Sequence, residues 1–228
     1  MLRLSEIRLP LDHARSALPA AVADRLALPT ADIQQLSVFR RSHDARKASA
    51  PMFIYSVDVE VPDEAGVLRR FAGDHRLQAT PDMRYQVVGR APATLATRPI
   101  VVGFGPAGIF AALVLAQSGF RPIVVERGKA VRERTQDTWG LWRKRILDPE
   151  SNVQFGEGGA GTFSDGKLYS QIKDPRHYGR KVLSEFVRAG APEEILYVSK
   201  PHIGTFRLVG MVEQMRREIE QLGGEVRF

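Results

Sequence analysis

The sequence predicts a chain of mixed α/β class in two parts. A small α+β domain covers residues 1–92, a linker covers 93–98, and a larger domain built on parallel strands covers 99–228. Three observations predict this. "FIYSVDVEV" alternates Phe53, Tyr55, Val57, Val59 and Val61 with Ser56, Asp58 and Glu60, the period of a strand with one buried face. A β-branched run, "IVV", leads through "GFGPAG" into an apolar helical stretch. A second such run, "RPIVVE", ends in an acid at Glu126.

In the first part, "MLRLSEIRLPL" reads as a strand and "HARSALPAAVADRLAL" as a short helix interrupted near Pro19. "DIQQLSVFRR" is a second strand and "FIYSVDVEV" a third. "PDEAGVLRRFAG" follows as a helix with Val67, Leu68 and Phe71 on one side, and "MRYQVV" is the expected last strand. The order β-α-β-β-α-β is ferredoxin-like in outline. Between the middle strands, "RRSHDARKAS" gathers Arg40, Arg41, His43, Arg46 and Lys47. It reads as a solvated hairpin loop rather than an RNA grip, because no aromatic residue interleaves the charges. "APATLATRP" is the linker.

The 22 residues from Pro99 to Phe120 carry no charge, which passes a crude membrane-span filter. Their internal order opposes it. Three glycines and a proline interrupt the run, and the helix from Pro106 to Ser118 is too short to cross a bilayer before Gly119 ends it. The spacing suits phosphate chemistry instead. Gly103 permits a tight turn, Gly105 lets backbone approach a pyrophosphate, and Gly108 lets the helix pack closely on the strand. Pro106 occupies the first helical position, where its missing N–H costs nothing. The free amides and the helix dipole then face the phosphates. Glu126, 23 positions after Gly103, is placed to hold the hydroxyls of a ribose.

Beyond Glu126, Val131, Thr135, Trp139, Trp142 and Ile146 form a helical stripe interrupted by Gly140 and stopped before Pro149. The two tryptophans are expected in the core. "SNVQFGEGGAGTFSDGKLYSQI" then packs Gly156, Gly158, Gly159, Gly161 and Gly166 into eleven residues. Glycines at this density permit positive φ and close approach to a flat ligand, with Thr162, Ser164 and Lys167 as donors. The flanking Phe155, Phe163, Leu168 and Tyr169 argue against a plain linker. Leu208, Val212, Met215, Ile219 and Leu222 mark a last helix, and "EVRF" begins a strand.

The composition narrows the classes. The chain has 228 residues and no cysteine, which excludes disulfides, thiolate metal sites and a redox dithiol. No metal site is expected. The net charge of +7 is spread along the chain, which argues little for a polyanion partner. The charged N-terminus lacks a secretory apolar run, so the cytoplasm is the default.

"VVGFGPAGIFAALVLAQSGFRPIVVERG", "NVQFGEGGAGTFSDGKLYSQIKDP" and "KPHIGTFRL" together resemble a family of bacterial FAD-dependent oxidoreductases with a glutathione-reductase-like FAD domain. The likeness runs through the whole chain, including "LPLDH" and "RRSHDARK". It implies a Rossmann-like FAD-binding domain, here incomplete. It also implies FAD-pyrophosphate contacts at Gly103, Gly105, Pro106, Ala107 and Gly108, with Glu126 on the adenosine ribose and Arg127 near the adenosine half. By analogy, Gly158, Gly159, Ala160, Gly161, Thr162, Ser164 and Lys167 lie beside the pyrophosphate-to-isoalloxazine half. Such proteins are about twice this length and complete the FAD domain late in the chain. The sequence is therefore expected to be the N-terminal part of a longer protein, inactive alone, with the polypeptide beyond Phe228 as its partner.

The expected function is that of a flavoprotein oxidoreductase, with NAD(P)H a candidate electron donor and the substrate open. No catalytic residue stands out; Lys200 and His202 in "SKPHIGT" are weak candidates. An NAD-binding dehydrogenase is the alternative within enzymes, since Glu126 would repel a 2′-phosphate. A nucleic-acid- or protein-binding module with a nucleotide-sensing fold is the alternative outside them.

Overall fold

The computed structural model describes residues 1–46, 50–168, 170 and 172–228. Lys47 of the basic stretch and Tyr169 beside the second glycine segment lie outside these described residues. Within them the chain is mixed α/β, with one antiparallel and one parallel sheet. It divides into two units, Met1–Met83 with Leu196–Ser199, and Arg84–Ile195 with Lys200–Phe228.

The first unit runs β1 (Leu2–Pro10), α1 (Ala17–Leu26), β2 (Gln35–Asp44), β3 (Met52–Glu60), α2 (Glu64–Arg70) and β4 (Leu77–Ala79). All pairings are antiparallel and the sheet order is β2-β3-β1-β4. The alternation expected of β3 is present: Tyr55, Val57 and Val59 are buried with Leu2 and Leu4 of β1 against Val22 and Leu26 of α1. Pro19 does not interrupt α1. It sits in the first turn, where backbone N–H groups have no intrahelical acceptor in any case.

Three further expectations for this unit are corrected. "MRYQVV" is not a strand. The free edge of β1 is taken by Leu77–Ala79 directly after α2, with Leu77 opposite Leu4. Residues 84–92 instead belong to the second unit, where the Tyr85 ring meets Tyr178 and the Ala91 amide donates to the Ser118 carbonyl at 2.9 Å. The first unit's main stretch ends at Met83. Arg40, Arg41 and His43 lie on β2, not in a loop. Asp58, read as wet, is buried: Arg3 donates to its two oxygens at 2.8 and 2.9 Å, and the Phe39 ring lies 3.5 Å from the guanidinium.

The second unit runs β5 (Ile100–Val102), α3 (Pro106–Gln117), β6 (Ile123–Val125), α4 (Val131–Lys144), α5 (Tyr178–Arg188), α6 (Thr205–Gln221) and β7 (Glu225–Arg227). The strands are parallel in the order β5-β6-β7, with Ile100 beside Ile123 and Ile123 beside Glu225. The core joins Ile109, Leu113 and Ala116 of α3 to Leu208, Met215 and Ile219 of α6 over Val124 of β6. Gly119, at φ +84, ends α3 as expected. Arg98, at the end of the linker, donates to the carbonyls of Arg121, Pro122 and Gly223 and pairs with Glu225. No helix among the described residues is long and apolar enough to cross a membrane.

The α4 stripe is also corrected. Gly140 does not interrupt the helix, and its buried face is Val131, Arg134 and Thr138. Trp139 and Trp142 are 48% and 56% exposed rather than in the core. Their tips rest on local partners: Trp142 meets Phe163 edge-on, and Arg143 lies over Trp139.

Candidate functional site

The first glycine loop joins β5 to α3. Gly103 takes φ +89, a conformation L side chains resist, and its amide donates to the Val125 carbonyl at 2.8 Å. Gly105 caps α3 and Pro106 opens it. A Cβ on Gly108 would lie 1.9 Å from the Gly103 carbonyl oxygen, so only glycine lets the helix start this close to the turn. Pro106 and Ala107 are exposed at the helix start, where first-turn amides lack intrahelical acceptors.

Glu126 follows β6 and faces this loop. Its carboxylate accepts from the amides of Phe104 at 2.6 Å, Gly128 at 3.0 Å and Gly156 at 3.1 Å. One side chain thus ties together the first glycine loop, its own turn and the second glycine segment. A carboxylate offers about four lone-pair sites, so about one stays open. For Glu126 to hold the two hydroxyls of a ribose, as expected from the sequence, one of these amides would have to let go.

The second glycine segment comes to the same place. The Gly158 amide donates to the Phe104 carbonyl at 2.8 Å. A Cβ on Gly159 would lie 3.2 Å from the Gly105 Cα and 3.0 Å from Pro106 Cδ. Ala160 to Phe163 then form a short 3-10 turn. Thr162 is buried, and its hydroxyl has no hydrogen-bond partner among the described residues. Ser164 Oγ donates to the Gly161 carbonyl and accepts from the Gly166 amide. Lys167 is exposed and pairs with Asp165 at 3.1 Å, which holds the Asp165 carboxyl below its usual value.

Two residues that support this segment were missed by sequence reasoning. Arg134, fully buried, donates to the carbonyls of Asn152, Val153 and Glu157 at 2.6 to 2.7 Å. Burial pushes its pKa down to about 10. Glu157, also fully buried, accepts from the Val131 amide at the start of α4 and from Arg216 at 2.9 Å. Burial holds its carboxyl above its usual value, while the Val131 amide and Arg216 oppose the shift. The signal available was position: Arg134 falls one helical turn after Val131.

Other expected residues border this cluster. Arg127 is exposed, pairs with Glu150 at 2.9 Å and stacks over Phe155. His202 is exposed, and its backbone pairs with Lys167, so "SKPHIGT" runs beside the end of the second glycine segment. In the first unit the basic residues do have aromatic neighbours, which the linear sequence hid. Arg41 lies over the rings of Phe53 and Tyr197, and His43 lies against Phe53. Arg46 pairs with Asp44, holding that carboxyl well below its usual value.

Behind the two glycine segments, α3 and α6 wall a cavity of about 240 Å³. Ile109, Phe110, Leu208 and Met215 line its depth, and Gly158, Gly161, Gly166 and Thr162 line its loop side.

Residues 1–60, which end with β3, match a family described as a domain of unknown function, DUF8436. An uncharacterised protein of Clostridium beijerinckii is 44% identical over 227 residues, covering 100% of this chain and 42% of that protein. The chain thus spans less than half the length of this curated relative.

Proposed function

We propose that this chain carries the nucleotide-binding part of an FAD-dependent oxidoreductase, with a Rossmann-like fold in its second unit and a ferredoxin-like fold in its first. The observation that carries the reading is convergence. Two glycine segments about fifty residues apart in sequence meet at the start of α3, and Glu126 joins them. The parallel order β5-β6-β7, with the glycine turn after β5 and the acid after β6, is the arrangement in which doubly wound sheets hold nucleotides.

The residues fit such a group. Glycines on both facing loops keep side chains out of the crevice, and the first turn of α3 offers amides to a pyrophosphate. Gly103, Gly105, Pro106, Ala107 and Gly108 would hold the phosphates, and Glu126 the ribose. Gly158 to Lys167 would flank the remainder of the molecule. FAD supplies the electron-accepting ring, with NAD(P)H a candidate donor; this chain's residues bind, orient and exclude water. An NAD-only site is the poorer reading, because it gives the second glycine segment no ligand to contact. The polypeptide beyond Phe228, as in the longer relative, would complete the catalytic unit, and the cytoplasm suits such an enzyme.

The test is flavin retention. Purify this chain and the longer Clostridium beijerinckii relative, release bound flavin by heat, and quantify it by fluorescence. The relative should carry flavin near one per chain, and this chain should bind added FAD. Gly105→Val should remove that binding, since a Cβ there faces Gly159 Cα at 3.8 Å and the larger side chain would push the two glycine segments apart. Equal flavin in Gly105→Val and the parent would overturn the assignment.

A further inference from the structure

We propose that the end of α4 and the start of α6 form a docking face for an anionic phospholipid surface. The face stands on side chains of this unit alone, whether or not a flavin binds beside it.

The stripe that the sequence spaces for burial is turned outward. Trp139, Trp142 and Ile146 recur at three and four residues, the period of one helix face. Yet Val131, Arg134 and Thr138 fill the inner side of α4. Trp139 and Trp142 line one groove of about 370 Å³ together with Phe206 and Val209 of α6. Phe206 is 99% exposed. Ile146 and Leu147, just past α4, are also exposed, and the Ile146 amide donates back to the Gly140 carbonyl. Single exposed apolar side chains are ordinary, but a joined set marks a surface that meets something else.

Charge decides what that is. Arg143, Lys144 and Arg145 are consecutive and exposed, and none pairs with a carboxylate among the described residues. Arg143 lies over the Trp139 ring instead. The nearby acids are already matched. Asp137 and Asp148 accept from Lys129, Glu150 pairs with Arg127, and Glu213 pairs with Arg132. Glu133 stands back in the first turn of α4. The face is therefore apolar, with surplus positive charge beside it. Protein interfaces deplete lysine in their cores. Tryptophan and phenylalanine next to Lys and Arg suit a headgroup layer, where rings enter the acyl boundary and cations meet phosphates.

Trp139 and Trp142 are the chain's two tryptophans, so intrinsic fluorescence reports this face directly. The full chain is mixed with vesicles of phosphatidylcholine alone, or of phosphatidylcholine and phosphatidylglycerol in equal parts. Anionic vesicles should co-sediment the chain, shift its emission to the blue and, when their acyl chains are brominated, quench it. Neutral vesicles should bind about tenfold more weakly. Phe206→Asp should weaken binding about tenfold, and Lys144→Glu with Arg145→Glu should remove the preference for anionic lipid. These side chains are exposed, so the fold does not depend on them. Arg15→Glu with Arg69→Glu, in the first unit, makes the same change in net charge and should leave binding intact. Equal losses in that pair and the α4 pair, or unshifted emission with anionic vesicles, would overturn the proposal. So would a dimer in sedimentation equilibrium that Phe206→Asp dissociates. Binding by this chain but not by the longer Clostridium beijerinckii relative would overturn it too, by assigning the face to that protein's additional polypeptide.

Discussion

In the antiparallel unit the buried charges are a pair: Arg3 and Asp58 sit on adjacent strands and satisfy each other bidentately. In the parallel unit Arg134 is buried without a direct carboxylate partner among the described residues and instead donates to three loop carbonyls, while Glu157 grips a helix amide and pairs with the half-buried Arg216. The first arrangement serves strand packing, and apolar side chains of similar volume could replace it. The second holds a glycine-rich loop that has few side chains of its own. Long paired strands support themselves; a glycine-rich loop is braced from behind.

Four changes would break or sharpen that contrast. The largest effect is expected from Gly108→Val, whose Cβ collides with the Gly103 carbonyl. It should destabilise the parallel unit by about 4 kcal/mol or more, while the antiparallel unit keeps its own resonances in a heteronuclear NMR spectrum. Next, Asp58→Leu leaves the Arg3 guanidinium buried and unpaired, at a cost of about 3 kcal/mol. The double change Arg3→Met with Asp58→Leu should return to within about 1 kcal/mol of the parent, as read from urea midpoints. A double variant as unstable as the single would show that the pair does more than satisfy itself.

Arg134→Met should cost about 2 kcal/mol, because three carbonyls lose their donor. Its distinctive readout is limited proteolysis: cleavage should appear within residues 152–163, where the carbonyls lie. Cleavage spread evenly over the unit would remove the bracing role.

The smallest effect concerns pH. The Glu213 carboxyl is held below its usual value, first by the hydrogen bond from Arg132. Its stabilisation is present above the unfolded value and is lost as pH falls through the folded one. Glu157 has the opposite sign. Burial raises its folded pKa, so the folded state binds the proton more tightly, and stability is recovered as pH falls through that raised value. Glu157→Gln lacks this recovery. As pH falls toward that raised value it should lose stability relative to the parent, read from urea midpoints at a series of pH values. A parallel pH profile would contradict the buried, ionisable state of Glu157.

Local signals were legible in the sequence. The β3 alternation, the glycine turn with Pro106 at the helix start, and the acid after β6 each depend on residues close in the chain, and each element formed at the expected place. The "MRYQVV" strand failed because edge pairing is a competition, and Leu77–Ala79 reached the free side of β1 first. The tryptophan stripe failed because helical periodicity reports two possible faces; here an arginine and a threonine took the inner one. At the candidate site, both glycine segments were visible, but their meeting was not, because no local pattern encodes a contact between Gly159 and Gly105. Arg134 and Glu157 were unreadable for a related reason: charge in a sequence suggests solvent until its partners are known.

The Glu126 clasp has a kinetic consequence. Its bond to the Gly156 amide, at 3.1 Å, is the longest of its three. On the proposed nucleotide reading, a sugar diol arriving there would compete with that amide for the same oxygen, so occupancy would unhook residue 156 and leave its N–H open to solvent exchange. Deuterium uptake at this one backbone position would then speed up as ligand fills the crevice, while its neighbours slow down.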